Sequence, residues 1–290
     1  MTTKSTYLSV ALLGMAAFPL AAVSGVQSPS GEVGVSAGVV APAPAAKATA
    51  APSPVNRQSF VTGRKAPGTV AQGNPGIAPI NSQINSVKSY ADLGAEWWQW
   101  AVQAPLVDSP LLDPDGTKCR VGQEGPVWFL AGTLGSSVPT TRQCEVPGNK
   151  AIFFPVINAA YFAFLNDPPE TRTAEAVRAA ADAACDTSSI SNLSVTIDGR
   201  PVAKATRFFT SVDKSPLFQA QLPTDNIFLA DTSSIPDLVL SPAAHKGFYI
   251  YVKPLTPGLH TIEWTATWDC GSEDVKYELD VLSGVAGLEE

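Results

Sequence analysis

The sequence predicts a mainly β fold, an antiparallel β-sandwich of jelly-roll or immunoglobulin-like type, with two or three peripheral α-helices. Three observations predict it. From Asn192 onward, apolar and polar residues alternate with a period of two, the mark of strands with one buried and one wet face. Two short apolar runs, 127–130 and 151–157, are bounded by Gly125-Pro126 and Pro147-Gly148, which suits strands covered on both faces. Helical spacing is confined to two stretches, 89–104 and 173–185.

Residues 1–25 carry a single lysine, Lys4, ahead of an apolar run over 7–23 and small residues at Ala22, Ser24 and Gly25. This is the pattern of a cleaved export signal. The run is short for a span and no charged flank follows it, so the mature chain is expected to be secreted or periplasmic and not an integral membrane protein. Loss of Lys4 with the leader takes the formal charge from −7 to −8. An acidic chain without a Lys/Arg cluster is a poor partner for nucleic acid or anionic membranes.

Residues 26–82 hold eight prolines, seven glycines and one aromatic, Phe60. They bury too little surface to offset the entropy of ordering and read as a disordered tether. Residues 83–283 then form one globular domain, and 284–290 a flexible tail.

Within the domain, Ser89 caps a helix over 89–104, with Asp92 three residues on and Pro105 ending it. Leu93, Trp97, Trp100, Ala101 and Ala104 form its apolar face, and Trp98 points away from that face. The 119–158 stretch supplies the core. Burying each of Trp128, Phe129, Leu130, Phe153 and Phe154 contributes roughly 1.5–3 kcal/mol. Asp-Pro-Pro at 167–169 is a turn, and Thr173 caps a covering helix to about Cys185 through Ala174, Val177, Ala181 and Ala184. Leu193, Val195 and Ile197 alternate into an Asp198-Gly199 hairpin turn. Strands follow at 206–210 and 217–222, then a loop over 225–236. Phe248, Ile250 and Val252 alternate, then Ile262, Trp264, Ala266, Trp268 and Cys270, then Val275, Tyr277, Leu279 and Val281.

Four cysteines in an exported chain imply two disulfides, which have three possible pairings. Cys119 with Cys144, and Cys185 with Cys270, is the preferred set. The first pair flanks the buried strand, and the second ties a helix end to the C-terminal sheet. No Cys-x-x-Cys spacing supports a metal site.

No nucleophile elbow, zinc-protease, phosphate-loop or dinucleotide fingerprint occurs. Of two histidines, His260 begins a strand face and His245 falls in an expected loop; neither has an obvious catalytic partner. Trp98, off the apolar face, is a candidate sugar-stacking platform, with Glu96 and Asp113 as polar ligand-binding candidates beside it. Asp113 and Asp115 sit in DPDG, where carboxylates one residue apart can begin a Ca2+ loop. The ninth- and twelfth-position ligands are missing, and Pro-Asp-Gly is an ordinary turn. Glycoside cleavage needs two carboxyls roughly 5–10 Å apart across a groove. Glu96, Asp113, Asp115, Glu124, Glu145 and Glu263 are candidates, and spacing pairs none of them.

EWWQW at 96–100, GPVWFLAG at 125–132 and CEVPGNKAIFFPVIN at 144–158 resemble a group of uncharacterised secreted bacterial proteins with a Trp-rich helix, a buried strand and a Cys-x-Val-Pro strand in that order. The resemblance spans about two-thirds of the chain and implies no activity. KPLTPGLHTIEWTATW at 253–268 is similar to the closing strands of exported β-sandwich domains. Export, a tether, abundant tryptophan and the lack of a catalytic motif favour a binding or surface module for a glycan or cell-envelope component. A carboxylate-dependent extracellular hydrolase is the alternative.

Overall fold

The computed structural model describes residues 10–12, 76–80, 82, 88–228 and 236–283. Most of the leader, most of the tether and the tail at 284–290 lie outside them. The architecture is mainly β, two sheets facing each other with two α-helices.

The first sheet is built on two long antiparallel strands, β4 (Ala151–Phe164) and β9 (Val239–Val252), with Phe153 opposite Tyr251. The edge of β4 is joined by β1 (Val10–Leu12), antiparallel, and by β2 (Val127–Phe129), parallel. Short strands β7 (Phe209–Thr210) and β8 (Phe218–Gln221) pair with β9. The second sheet runs in the order β3 (Thr140–Pro147), β11 (Gly271–Leu282), β10 (Gly258–Trp268), β5 (Ser191–Ile197), β6 (Arg200–Pro201). There β3 lies parallel to β11.

Two parallel pairs correct the expectation of a purely antiparallel sandwich. The chain leaves the first sheet after β2, crosses to the second as β3, and returns as β4. Strands β2 and β4 are therefore not hairpin partners, and nothing forces them to run oppositely.

Successive residues of β4 point to opposite faces, and both faces are covered. Phe153 packs its ring on Tyr90, Phe129 and Tyr249, while Phe154 stacks on Trp264 of β10 at 4.7 Å. Helix α1 (Tyr90–Gln103) thus lies on one side of the first sheet and the second sheet on the other. Helix α2 (Ala174–Ala183) packs Val177 and Ala181 against Ala163 and Ala244. This double cover is why 151–157 reads as an unbroken apolar run.

α1 starts at the expected capping box, with the Ser89 hydroxyl accepting from the Asp92 N–H and the Asp92 carboxylate from the Ser89 N–H. Trp98 does not point away from the core. It is 2% exposed, edge-on to Phe162 at 5.7 Å, because β8 closes over that flank, where Gln99 Nε2 donates to the Gln219 carbonyl. The first half of β9 is a second difference. Ser-Pro-Ala-Ala-His-Lys at 241–246 has no β-branched residue, yet it is strand, specified by burial on both faces. The expected strand at 206–210 is a helical turn, Ala205–Arg207, followed by β7.

Residues 76–80, which composition assigns to the tether, run beside the end of β9. Ile77 bridges Val252, and the Tyr90 hydroxyl donates to the Ala78 carbonyl at 2.6 Å. Alternation in β10 and β11 holds as expected, with Ile262, Trp264, Ala266, Trp268, Val275, Tyr277, Leu279 and Val281 buried. Both disulfides form as expected, Cys119–Cys144 and Cys185–Cys270. Among the described residues no helix is long and apolar enough to cross a membrane.

Candidate functional site

Among the described residues, the edge of β4 is paired with β2 at 151–153 and with β1, which lies within the expected leader, at 160–162, and is open between them. A bulge falls in the gap, between Pro155 and Ile157. Pro155 has no N–H to offer a neighbouring strand. At this break lies a cleft of about 30 Å³, lined by Trp97 and Trp98 of α1, Pro155, Ile157 and Asn158 of β4, the 132–135 loop, and Glu273 of β11. That volume is room for roughly two waters.

Two buried polar systems meet there. The first fixes Asn158. His245 is fully buried, with Nε2 2.9 Å from the Ala91 carbonyl and Nδ1 2.9 Å from the Tyr249 hydroxyl. Burial pushes its pKa down to about 4, so it is neutral near pH 7. A carbonyl only accepts, so Nε2 carries the proton, Nδ1 accepts, and Tyr249 donates to it. The Tyr249 oxygen then accepts from Asn158 Nδ2 at 3.4 Å, leaving the Asn158 carbonyl arm for the cleft. The Trp98 indole N–H lies close enough to the Tyr249 hydroxyl to affect its acidity but closes no hydrogen bond of normal geometry. Gly94 makes room for this arrangement, since a Cβ there would overlap the imidazole.

The second system clamps the 131–135 loop. Arg142 is 1% exposed; its Nη1 donates to the Ala131 and Gly132 carbonyls and to the Tyr277 hydroxyl, and its Nε to the Asp113 carbonyl. On the other side, Glu273 Oε2 accepts from the Thr133 N–H and hydroxyl, each at 2.8 Å, and Oε1 from the Gly135 N–H at 3.2 Å. The guanidinium takes the loop's carbonyls and the carboxylate takes its amides.

The Glu273 residue keeps some exposed surface, but its carboxylate is ringed by protein. Burial raises its pKa to about 7, against the lowering effect of the Thr133 and Gly135 donors and of Arg142. A carboxyl raised in the folded state binds a proton that the unfolded chain has released. Stability contributed by this group is therefore present at low pH and falls as pH rises from about 4.5 through about 7. The span corresponds to no more than ~3 kcal/mol. Glu273→Gln is expected to flatten this slope, measured as urea unfolding free energies at about pH 5 and pH 8. Equal slopes in the two proteins would refute it.

The candidates read from sequence are dispersed. Trp98 lines the cleft but is a buried wall, not an exposed platform. Glu96 is partly exposed and pairs with Lys88 at 2.7 Å, outside the cleft. Asp113 is buried and accepts the N–H groups of Asp115, Gly116 and Lys118, while Asp115 caps Thr117. Both carboxylates hold their own turn. Among the described residues the one grouping of three metal-type ligands is Cys185, Asp269 and Cys270, whose sulfurs form the disulfide. Asn158, Glu273, Arg142 and Tyr249 were not singled out by sequence. Glu273 begins a strand beside a polar turn, and no local pattern marks it.

No family model matches the chain, and no curated protein matches it. Among solved structures it is similar to a family 123 glycoside hydrolase from Clostridium perfringens, studied for glycolipid glycan hydrolysis, at 11% identity and a TM-score of 0.18. The match covers 50% of this chain and 23% of that one, and a likeness at this level carries no functional argument.

Proposed function

We propose that the chain is an exported module that binds a glycan or another cell-envelope component, with the ligand entering the cleft at the open edge of β4. The observation that carries this reading is the convergence of Trp97, Trp98, Asn158 and Glu273 on one cleft beside the break in the edge pairing of β4. Indole walls with a few fixed polar groups are how small ligands are oriented. Two disulfides suit an oxidising compartment. Hydrolysis by paired carboxyls is less well supported, because among the described residues Glu273 is the one carboxylate lining the cleft. The test is retention of the purified chain on a panel of polysaccharides and cell-wall material. Binding is expected, weakened about tenfold in Asn158→Ala through loss of one oriented hydrogen bond. No retention on any material would refute the reading.

A further inference from the structure

Resting on that reading, we propose that the cleft recognises a primary ammonium group, as carried by an amino sugar or an amino-acid side chain, held between Glu273 and the Asn158 carbonyl. The polar lining is rich in acceptors. An ionised carboxylate offers about four lone-pair sites; the Thr133 and Gly135 N–H groups occupy two of them, and the single Thr133 hydroxyl proton is shared between Glu273 and the Ser136 carbonyl. Asn158 is oriented by the Ala91–His245–Tyr249 relay so that its N–H side faces Tyr249 and its carbonyl remains for a donor.

The walls fit a cation as well. Trp97 and Trp98 stand nearly perpendicular, 84° between planes with centroids 5.1 Å apart, and indole is the best aromatic surface for a cation. About 30 Å³ admits the head of an aminomethyl group. A quaternary ammonium or a whole sugar ring is too large, so the rest of the ligand lies outside.

Local charge agrees. The ionisable groups around the cleft and its loop are Glu273, Arg142 and Asp113, with neutral His245 and Tyr249 behind Asn158. Above about pH 7, where Glu273 is ionised, Glu273 and Asp113 against Arg142 leave one negative charge. The formal charge of −7 over the whole chain adds a field that attracts cations. Ammonium binding favours ionised Glu273 and so competes with the proton that burial favours there. His245, with its pKa near 4, stays neutral over the range to be tested.

The experiment follows the Trp97 and Trp98 indole and Gly135 amide resonances of the full chain by NMR. Methylammonium, glucosamine, glucose and tetramethylammonium are titrated in turn. Methylammonium and glucosamine are expected to move these resonances near pH 7; for methylammonium, which stays protonated over the range, affinity is expected to be about tenfold weaker near pH 5 than near pH 8 and about tenfold weaker in Glu273→Gln. Glucose and tetramethylammonium are expected to leave them in place. Should the variant misfold, the pH series on the unaltered chain gives the same answer. Silence with methylammonium, or binding insensitive to pH, overturns the inference. Glucose acting as strongly as glucosamine also overturns it, while leaving glycan binding at this cleft intact. Retention on wall material with none of these resonances affected by that material would remove the cleft from both proposals.

Discussion

Replacing both Cys185 and Cys270 with serine is expected to lower the unfolding free energy by about 4.6 kcal/mol, the loop-entropy value for a closed loop of 85 residues. In a domain of this size that corresponds to a fall in Tm of roughly 10–15 °C. The bond joins the end of α2 to the β10–β11 turn, where Lys246 Nζ also donates to the Asp182 and Cys185 carbonyls and lies over the Trp268 ring. Those contacts remain in the variant, so the loss is one of chain restriction and not of a collapsed core. The Cys119/Cys144 double serine variant closes only 25 residues and is expected to lose about 3.5 kcal/mol. Thermal unfolding of the two variants under one set of conditions checks the order. A larger loss for the shorter loop would refute the entropic account.

Arg142→Met is expected to cost about 2–5 kcal/mol, at roughly 1–3 kcal/mol for each buried acceptor left without a donor. The change leaves the Asp113 and Gly132 carbonyls without their buried donor, and takes the guanidinium from the Ala131 carbonyl and the Tyr277 hydroxyl, which still accept from the Tyr277 hydroxyl and the Ala131 N–H respectively. Arg142→Lys should recover only part of this, because an ammonium cannot span the fork that a guanidinium does. Loss of the guanidinium also raises the Glu273 pKa further, since Arg142 is one of the groups holding it down. Urea unfolding of both variants, with the Glu273 titration followed by NMR, measures each effect. If methionine were tolerated as well as lysine, the 131–135 loop would not depend on its clamp.

The two predictions differ in how visible their residues are in sequence. Cysteines announce themselves by type, and the position of each beside a strand or helix end favoured one of the three pairings without fixing it. Arg142 looks like any charged residue in an alternating stretch, Thr-Thr-Arg-Gln-Cys. Its burial depends on the 111–116 and 131–135 loops folding over β3, which is a contact between distant segments.

By itself the sequence determined the mainly β class, the two helices and their caps, the buried strand at 151–157 and the alternation of β10 and β11. It also implied two disulfides and favoured one of three pairings, the one the structure shows. All of these are written in local periodicity, turn residues and the chemistry of single side chains. Tertiary structure alone decided the parallel placement of β2 and β3, the strand at 241–246, the burial of Trp98 and the gathering of Trp97, Asn158 and Glu273 at one gap. The physical reason is common to them. Local spacing sets which side of a strand or helix a residue occupies, whereas partner direction, the cover over a second face and the meeting of side chains more than a hundred residues apart follow from how the sheets and loops close on one another.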